Sequence, residues 1–569
     1  MGVPGFFMWL MKQYKNKKMV FPKANADVND IVHKIDYLLI DMNCMLHPEC
    51  FKTLEDIKTT DIDKIEAKMR NNIILYLEKI IEHNMPRKGV YLAIDGVAPV
   101  AKMKQQRFRR YKSIKDKELY DSIRKKHNKA NPVYWNNSAI TPGTNFMKLL
   151  NQRIIEWMNC YTKKHKIEII YSSCNIPSEG EHKLLQYIRN NAIQYNYAIY
   201  GLDADLIFLA LSTGLDSIYL MREGKILRDV SNKSVDGFNY VSIKIMKECI
   251  VESIMKCVKD NEIKGILDKK RLIDDFIFIC YLMGNDFLPH LPSLDIYDGA
   301  IDTLIDMYIK VIEANPGQYI VSCVGKCDIN TDIFYQFITI LAEMEEETIK
   351  MKYGKKNYSP PCISTDPYDI EIHRIENMKF KVKDPIMMGS DNMSEWRKRY
   401  YSHHFQVKED EIDSYSMKMV ENYLKGLKWV TSYYFDKCPE WDWYYAYDHP
   451  PFLSDIVKHK YNFKEINFTL GEPMTPFEQL LTVLPKQSAY LLPECLRKIM
   501  LNNNSSIAHL YPCRFELDMV GKKKYWMVQP ILPEMEINMI RQMFIKYMKN
   551  LTSDLREMNT NNKIPIIIK

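Results

Sequence analysis

Through the first 345 residues, apolar runs of four or five alternate with stretches of helical periodicity, the pattern of a mostly parallel sheet flanked by helices. Four runs are predicted as strands: Tyr37 to Ile40, Val90 to Ile94, Ile167 to Tyr171 and Tyr197 to Tyr200. Three of them run almost straight into acids, namely Asp41, Asp95, and Asp203 with Asp205. In open α/β sheets the carboxyl edge is where ligands bind, so these acids are predicted to share a site. Between 346 and 394 the pattern breaks into Gly, Pro and charge (KKNYSPPCISTDPYD, then KVKDPIMMGSDN), read as a linker or exposed insertion. From 395 to 569 aromatic and apolar segments mix with turns in a second region, without repeats or a low-complexity tail. The fold class is therefore α/β, with a first domain over 1–345 and a second, mixed region packed against it.

Composition narrows the class. The chain has 569 residues, 46% of them hydrophobic and 27% charged, as in a soluble globular protein with room for roughly two to four cores. No run approaches the roughly 18 apolar residues of a membrane span, and the start MGVPGFFMWL lacks a signal-peptide layout. Met1-Gly2 suggests myristoylation, but Phe6 stands where that motif needs Ser or Thr. Thirteen cysteines without any C-x-x-C pair imply a reducing compartment and no structural zinc. A cytoplasmic protein with no membrane contact is expected. The net charge of +7 is mild, yet residues 101–130 hold twelve Lys or Arg against Asp116, Glu118 and Asp121.

Seven acids stand in short contexts: Asp41 in LLIDMN, Asp95 in AIDG, Glu179 and Glu181 in PSEGEHK, Asp203 and Asp205 in GLDADL, and Asp286 in GNDF. Any one alone reads best as a cap or turn residue. Collected at one sheet edge they repel one another unless cations neutralise them, and hard oxygen donors suit Mg²⁺, with Mn²⁺ as a substitute. Two ions roughly 4 Å apart are the apparatus of phosphodiester hydrolysis. Glu179 and Glu181 follow Pro177 at a predicted helix start, where an i, i+2 pair can reach one point. Asp203 and Asp205 are placed in an extended segment, where alternate residues face one way. If AKMKQQRFRRYK is helical, Lys102, Gln106, Arg109 and Arg110 form one face suited to a terminal phosphate. A solvated basic helix is the bland alternative for the same residues.

The motifs MGVPGFF, IDMNCMLH, AIDGVAPVAKMKQQRFRR, ITPGTNFM, PSEGEHKLLQYIR, YGLDADLIFL, LMGNDFLPHLPSL, GLKWV, WDWYYAY, TPFEQLLTVLP and FELDMVGKKKYW, in this order, resemble the Xrn family of 5′-to-3′ exoribonucleases from Met1 to about Trp526. The resemblance implies a PIN-like, flap-endonuclease-like nuclease domain with the seven acids holding two metals. It implies a 5′-phosphate pocket of Lys102, Gln106, Arg109 and Arg110, and a second region (395–569) that encloses the active site. A histidine and a tryptophan stack on the 5′ nucleotide in that family, and His47 and Trp429 are the matches. On its own His47 reads equally as a satisfied polar contact, and Trp429 as a core residue. Trp441, Trp443, Tyr444 and Tyr445 read as packing. Two departures, Val100 where the family often has Arg and Cys44 where it often has Gly, imply weaker phosphate binding. Without a zinc knuckle or the long carboxyl-terminal extension, the match is to a short form of the cytoplasmic type. It implies processive decay of single-stranded, 5′-monophosphorylated RNA such as mRNA, with decapping machinery as a candidate partner and a monomer as the default state. Two other readings stay open: a structure-selective 5′ flap or DNA exonuclease, and an inactive 5′-end-binding scaffold.

Overall fold

The computed structural model of the chain describes residues 5–14, 19–22, 31–191, 195–201, 204–223, 237–323, 327–355 and 359–569. At its centre is an eight-stranded sheet: β1 (Val20–Pro22), β2 (Tyr37–Asp41), β3 (Gly89–Ala93), β4 (Glu168–Ser172), β5 (Tyr197–Tyr200), β6 (Ile218–Glu223), β7 (Phe238–Ser242) and β8 (Ile566–Ile568). The spatial order is β1-β7-β6-β5-β2-β3-β4-β8. The inner five strands, from β6 to β4, are parallel, and the outer ones are antiparallel. The four strands expected from the sequence are β2 to β5.

Parallel inner strands are covered on both faces, which is why their sequences read as unbroken apolar runs. Alternate residues sort cleanly between two cores. Leu38, Ile40, Val90, Leu92, Ile169 and Tyr171 face α2 (Asn43–Glu55), α3 (Ile62–Asn84) and α5 (Asn145–His165). Leu39, Tyr91, Ile170, Tyr197 and Ile199 face the other core, which holds α1 (Phe6–Gln13), α6 (Gly180–Asn191) and α7 (Asp205–Ser212). Side-chain caps fix where helices begin: Asp61 accepts from the Asp63 and Lys64 amides at α3, and Thr144 from Met147 at α5. The segment around Asp203 and Asp205 differs from the expected extended chain. Asp205 opens α7, because the eight-residue run it begins is apolar on every side and buries as a helix. Asp203 lies outside the described residues.

α4 (Val100–Lys126) runs from the sheet's carboxyl edge into the second half of the chain. Its first turns insert Val100 and Met103 into a third core with Phe477 and Leu480 of a helix at Pro476–Val483. The large core of α6 and α7 continues into α8 (Lys269–Cys280), α9 (Met393–Phe405) and α10 (Ile412–Phe435). Within 346–394 a helix at Pro367–Glu376 packs on α4 through Glu371, which meets Lys126 and His127, while Asp366 meets Lys129. With Lys112–Asp116, Lys115–Glu118 and Arg124–Asp121 added, most charge on the distal part of α4 is paired. No helix among the described residues is long and apolar enough to cross a membrane.

Candidate active site

The carboxyl ends of β2 and β3 are in register, Asp41 opposite Ala93, so Asp41 and Asp95 leave the sheet side by side. Asn43 ties them together. Its side-chain amide donates to Asp95 Oδ2 at 2.8 Å and accepts the Asp95 N–H at 3.1 Å, while its own N–H donates to Asp41 Oδ1 at 3.1 Å. Cys44 adds its thiol to Asp41 Oδ2 at 3.2 Å.

Glycine is required at two points. A Cβ on Gly96 would lie 1.7 Å from the Ile176 carbonyl oxygen, which accounts for the Gly that follows Asp95. A Cβ on Gly180 would stand 2.9 Å from Asp41 Oδ1 and 3.3 Å from Asp95 Oδ1. The start of α6 is thus pressed against both carboxylates, and the Gly180 N–H donates to Asp95 Oδ1 at 2.6 Å. Glu179 and Glu181 flank that glycine. The fit depends on Ser178, held at φ 101°, a left-handed conformation rare for a residue with a side chain.

On the other side stands Lys102, two residues into α4. Its ammonium is shared between Glu179 and Asp286, 2.7 Å from Asp286 Oδ2. Burial would lower the Lys102 pKa, but Asp286, Glu179, Glu181 and Asp205 hold it well above the ordinary value. The acids split accordingly. Burial raises Glu179 despite Lys102, and raises Asp205 to about 7 with Asp286 adding to the push. Burial would raise Asp286 too, but Lys102 holds it below the usual carboxylate range. Asp41, Asp95, Glu179, Glu181, Asp205 and Asp286 thus converge around α6 and the start of α4. Glu179 is 4% exposed, Asp205 3% and Asp41 6%. Such a set of buried carboxylates with one shared ammonium is what hard divalent cations neutralise.

The four residues of the expected phosphate face divide. Lys102 serves the acids, and Gln106 accepts from Gln479 Nε2 at 3.2 Å. Arg110 donates from Nη2 to Thr141 at 2.7 Å, while its buried Nη1 has no hydrogen-bond partner. Burial, with Arg109 beside it, pushes Arg110 down to about 9. Arg109 is exposed and lines a cavity on the far side of α4. Val100, read as a departure that weakens phosphate binding, packs into the third core instead, and its N–H binds the Trp441 carbonyl.

His47 lies part-buried on α2. Trp429 is 0% exposed on α10, its indole N–H held by the Glu440 carbonyl at 2.9 Å. Its ring belongs to a stacked series: His182 on Tyr433 at 3.7 Å, Tyr433 on Trp429 at 4.7 Å, and Trp429 on Trp443 at 5.2 Å. Trp441, grouped with packing residues on sequence grounds, is partly exposed beside the first turn of α4.

Three contributors carried no sequence signal. Tyr433 donates its hydroxyl to Glu179 Oε1 at 2.9 Å. Gln479 accepts the Ala98 N–H at 3.1 Å and positions Gln106. Lys183, buried behind Asp95, donates to the Ile94 and Ser173 carbonyls at 2.6 and 2.9 Å. Burial pushes it down to about 7 against the pull of Asp95. Lys183 lies in PSEGEHKLLQYIR and Gln479 in TPFEQLLTVLP, but neither motif marks the role of the residue.

Known proteins resemble the chain over most of its length. Residues 1–224 match the XRN 5′-3′ exonuclease N-terminus, and residues 266–362 and 364–569 match the Xrn1 helical domain. The chain is 28% identical to the 5′-3′ exoribonuclease 2 of Debaryomyces hansenii, over 98% of this chain and 71% of that one. It is 29% identical to the 5′-3′ exoribonuclease 2 of Arabidopsis thaliana, covering 97% and 68%. The human 5′-3′ exoribonuclease 1 is also 29% identical, but this chain spans 33% of its length. A solved catalytic core of Rad2 with DNA aligns over 73% of this chain at 12% identity and a TM-score of 0.28, too low to carry an argument. With both family regions matched across most of its length, the chain belongs to the XRN 5′-3′ exonuclease family.

Proposed function

We propose that this chain is a processive 5′-to-3′ exoribonuclease that hydrolyses 5′-monophosphorylated RNA to nucleoside 5′-monophosphates, with two Mg²⁺ ions held by Asp41, Asp95, Glu179, Glu181, Asp203, Asp205 and Asp286. The observation that carries the reading is the convergence of the six described acids on Gly180 and Lys102. The donor set is all oxygen and heavily buried, which fits Mg²⁺ or Mn²⁺ and does not fit a soft metal. When bound, such ions supply an activated water and stabilise the leaving oxygen.

The protein's own groups would do the rest. Asn43 and the Gly180 N–H fix the directions of Asp41 and Asp95. Arg110, with one buried guanidinium nitrogen unpartnered, offers donors to a terminal phosphate, and Gln106, one turn before it on α4, completes that pocket, while Arg109 opens onto the cavity on the other side of the helix. Lys102 would turn from the acids to the phosphate once cations take over its neutralising role. His47 is the base platform from α2. Trp441 suits the tryptophan platform better than Trp429, whose ring is enclosed by Tyr433 and Trp443. A closed pocket admits only a small charged end, which would exclude capped, triphosphorylated and circular RNA. Cytoplasmic mRNA decay downstream of decapping is the setting in which such ends arise.

A Mg²⁺ titration of turnover on labelled 5′-monophosphate RNA, beside circular RNA and a DNA flap, tests the proposal. Metal-dependent release of mononucleotides from the linear RNA alone is expected. Equal digestion of the circle removes the exonuclease reading, preferential flap cleavage favours the DNA nuclease, and metal-independent binding without turnover favours the scaffold.

A further inference from the structure

On the side of α4 opposite Arg110 lies a cavity of about 410 Å³, and one part of its wall has no role in the proposed nuclease chemistry. His404 near the end of α9, His449 in the segment after Tyr445, and Asp518 of a short ladder (Leu517–Asp518 with Gln529–Pro530) come from three distant stretches of chain. Each offers one ligand atom, and the three atoms lie within 4.8 Å of one another. Both imidazoles line the cavity and stack at 3.5 Å with 27° between planes. Asp518 is 9% exposed, and its buried Oδ2 has no hydrogen-bond partner, although Oδ1 accepts the Val520 N–H at 3.2 Å.

We propose that His404, His449 and Asp518 form a binding site for one divalent transition-metal ion of the zinc class, with water from the cavity completing the coordination. Two imidazoles and a carboxylate are borderline donors that favour zinc, copper or nickel, whereas the acids around Gly180 are all-oxygen and favour magnesium. The two sites are therefore chemically separable. Metal–ligand bonds of about 2.0–2.2 Å place tetrahedral ligand atoms roughly 3.3 Å apart, so the widest pair needs to close by up to about 1.5 Å.

Asp518 Oδ2 is buried without a hydrogen bond and is held only by loose ion pairs, one of them to His449 Nε2 at 3.7 Å, so a cation seated between the imidazoles and this oxygen would compensate it more closely. The competitor is Lys522, whose ammonium stands 3.3 Å from the same Asp518 oxygen. His403 and Lys104 also oppose a cation here, whereas Asp384 favours one. An ion bound by these groups would tie α9, the segment at His449 and the ladder into one unit.

The test uses the full chain, stripped with a chelator and kept in excess Mg²⁺ to fill the nuclease acids. Titration with Zn²⁺ is followed by elemental analysis after gel filtration, and with Co²⁺ by visible absorbance. One equivalent is expected per chain, with a raised Tm. His404→Gln and His449→Ala should weaken binding by about tenfold or more, Asp286→Asn should leave it unchanged, and Lys522→Ala should tighten it a few-fold by removing the competitor. His404→Gln guards against misfolding of the more buried His449 variant, and circular dichroism checks both. No zinc bound at micromolar concentration, binding indifferent to His404→Gln, or binding lost with Asp286→Asn would each overturn the proposal.

Discussion

The Tyr433 hydroxyl donates to Glu179 Oε1 at 2.9 Å while the face of the same ring stacks on His182 at 3.7 Å, so one residue of α10 grips the start of α6 twice. Tyr433→Phe keeps the stack and removes the donor. A buried hydrogen bond to a charged group contributes about 1.5–3 kcal/mol, and its loss lets Glu179 drift. Turnover is expected to fall roughly ten- to a hundredfold with a higher Mg²⁺ requirement and a nearly unchanged Tm. Unchanged kinetics would show that Glu179 is positioned without Tyr433.

Gly180→Ala tests the crowding at the two aspartates. Its Cβ would stand 2.9 Å from Asp41 Oδ1, closer than real Cβ contacts come. The helix should survive, since Ala is a better helix former than Gly, but the carboxylates must move apart. The expected result is a folded protein with little metal-dependent turnover, read by circular dichroism beside the RNA assay.

Asp286→Asn and Asp205→Asn should abolish turnover and leave binding of 5′-monophosphate RNA largely intact, measured by fluorescence anisotropy. Lys102 keeps Glu179 in the first case and both of its partners in the second, so the fold is not at stake.

Arg110→Ala removes the one guanidinium on α4 with a buried, unpartnered nitrogen. Its loss should reduce kcat/KM for 5′-monophosphorylated RNA by about tenfold or more and narrow the preference over 5′-hydroxyl RNA. An equal loss on both ends would assign Arg110 a structural role through Thr141.

The two tryptophans separate by readout. Trp429→Ala empties a fully buried site and should cost about 3–5 kcal/mol of stability, seen in denaturant unfolding. Trp441→Ala is expected to leave stability nearly unchanged and to shorten the run of nucleotides released per binding event.

Four strands and the acids at their ends were legible because buried parallel strands are written as unbroken apolar runs with the functional residue at the terminus. Asp41 and Asp95 needed nothing more than that, whereas Glu179 was read from a helix start after Pro177 and Asp286 from its GNDF context and the family resemblance. The roles of Tyr433 and Gln479 were not legible, since their partners lie 254 and 373 residues away and the motif around Gln479 does not show what it contacts. Trp429 and Trp441 share an aromatic neighbourhood, and tertiary packing alone decides which is enclosed. The edge strands β1 and β8 carry three residues each, too few for an alternation to register.

The pairing of β8 with β4 has a kinetic consequence. Ile567 lies opposite Ile170, so the outermost ladder joins positions nearly four hundred residues apart. Loop closure over that separation is slow, and during synthesis the outer edge of β4 waits bare until the last strand leaves the ribosome. A chain lacking β8 would carry a nearly complete catalytic cluster beside an open strand edge, the kind of border that pairs with other chains.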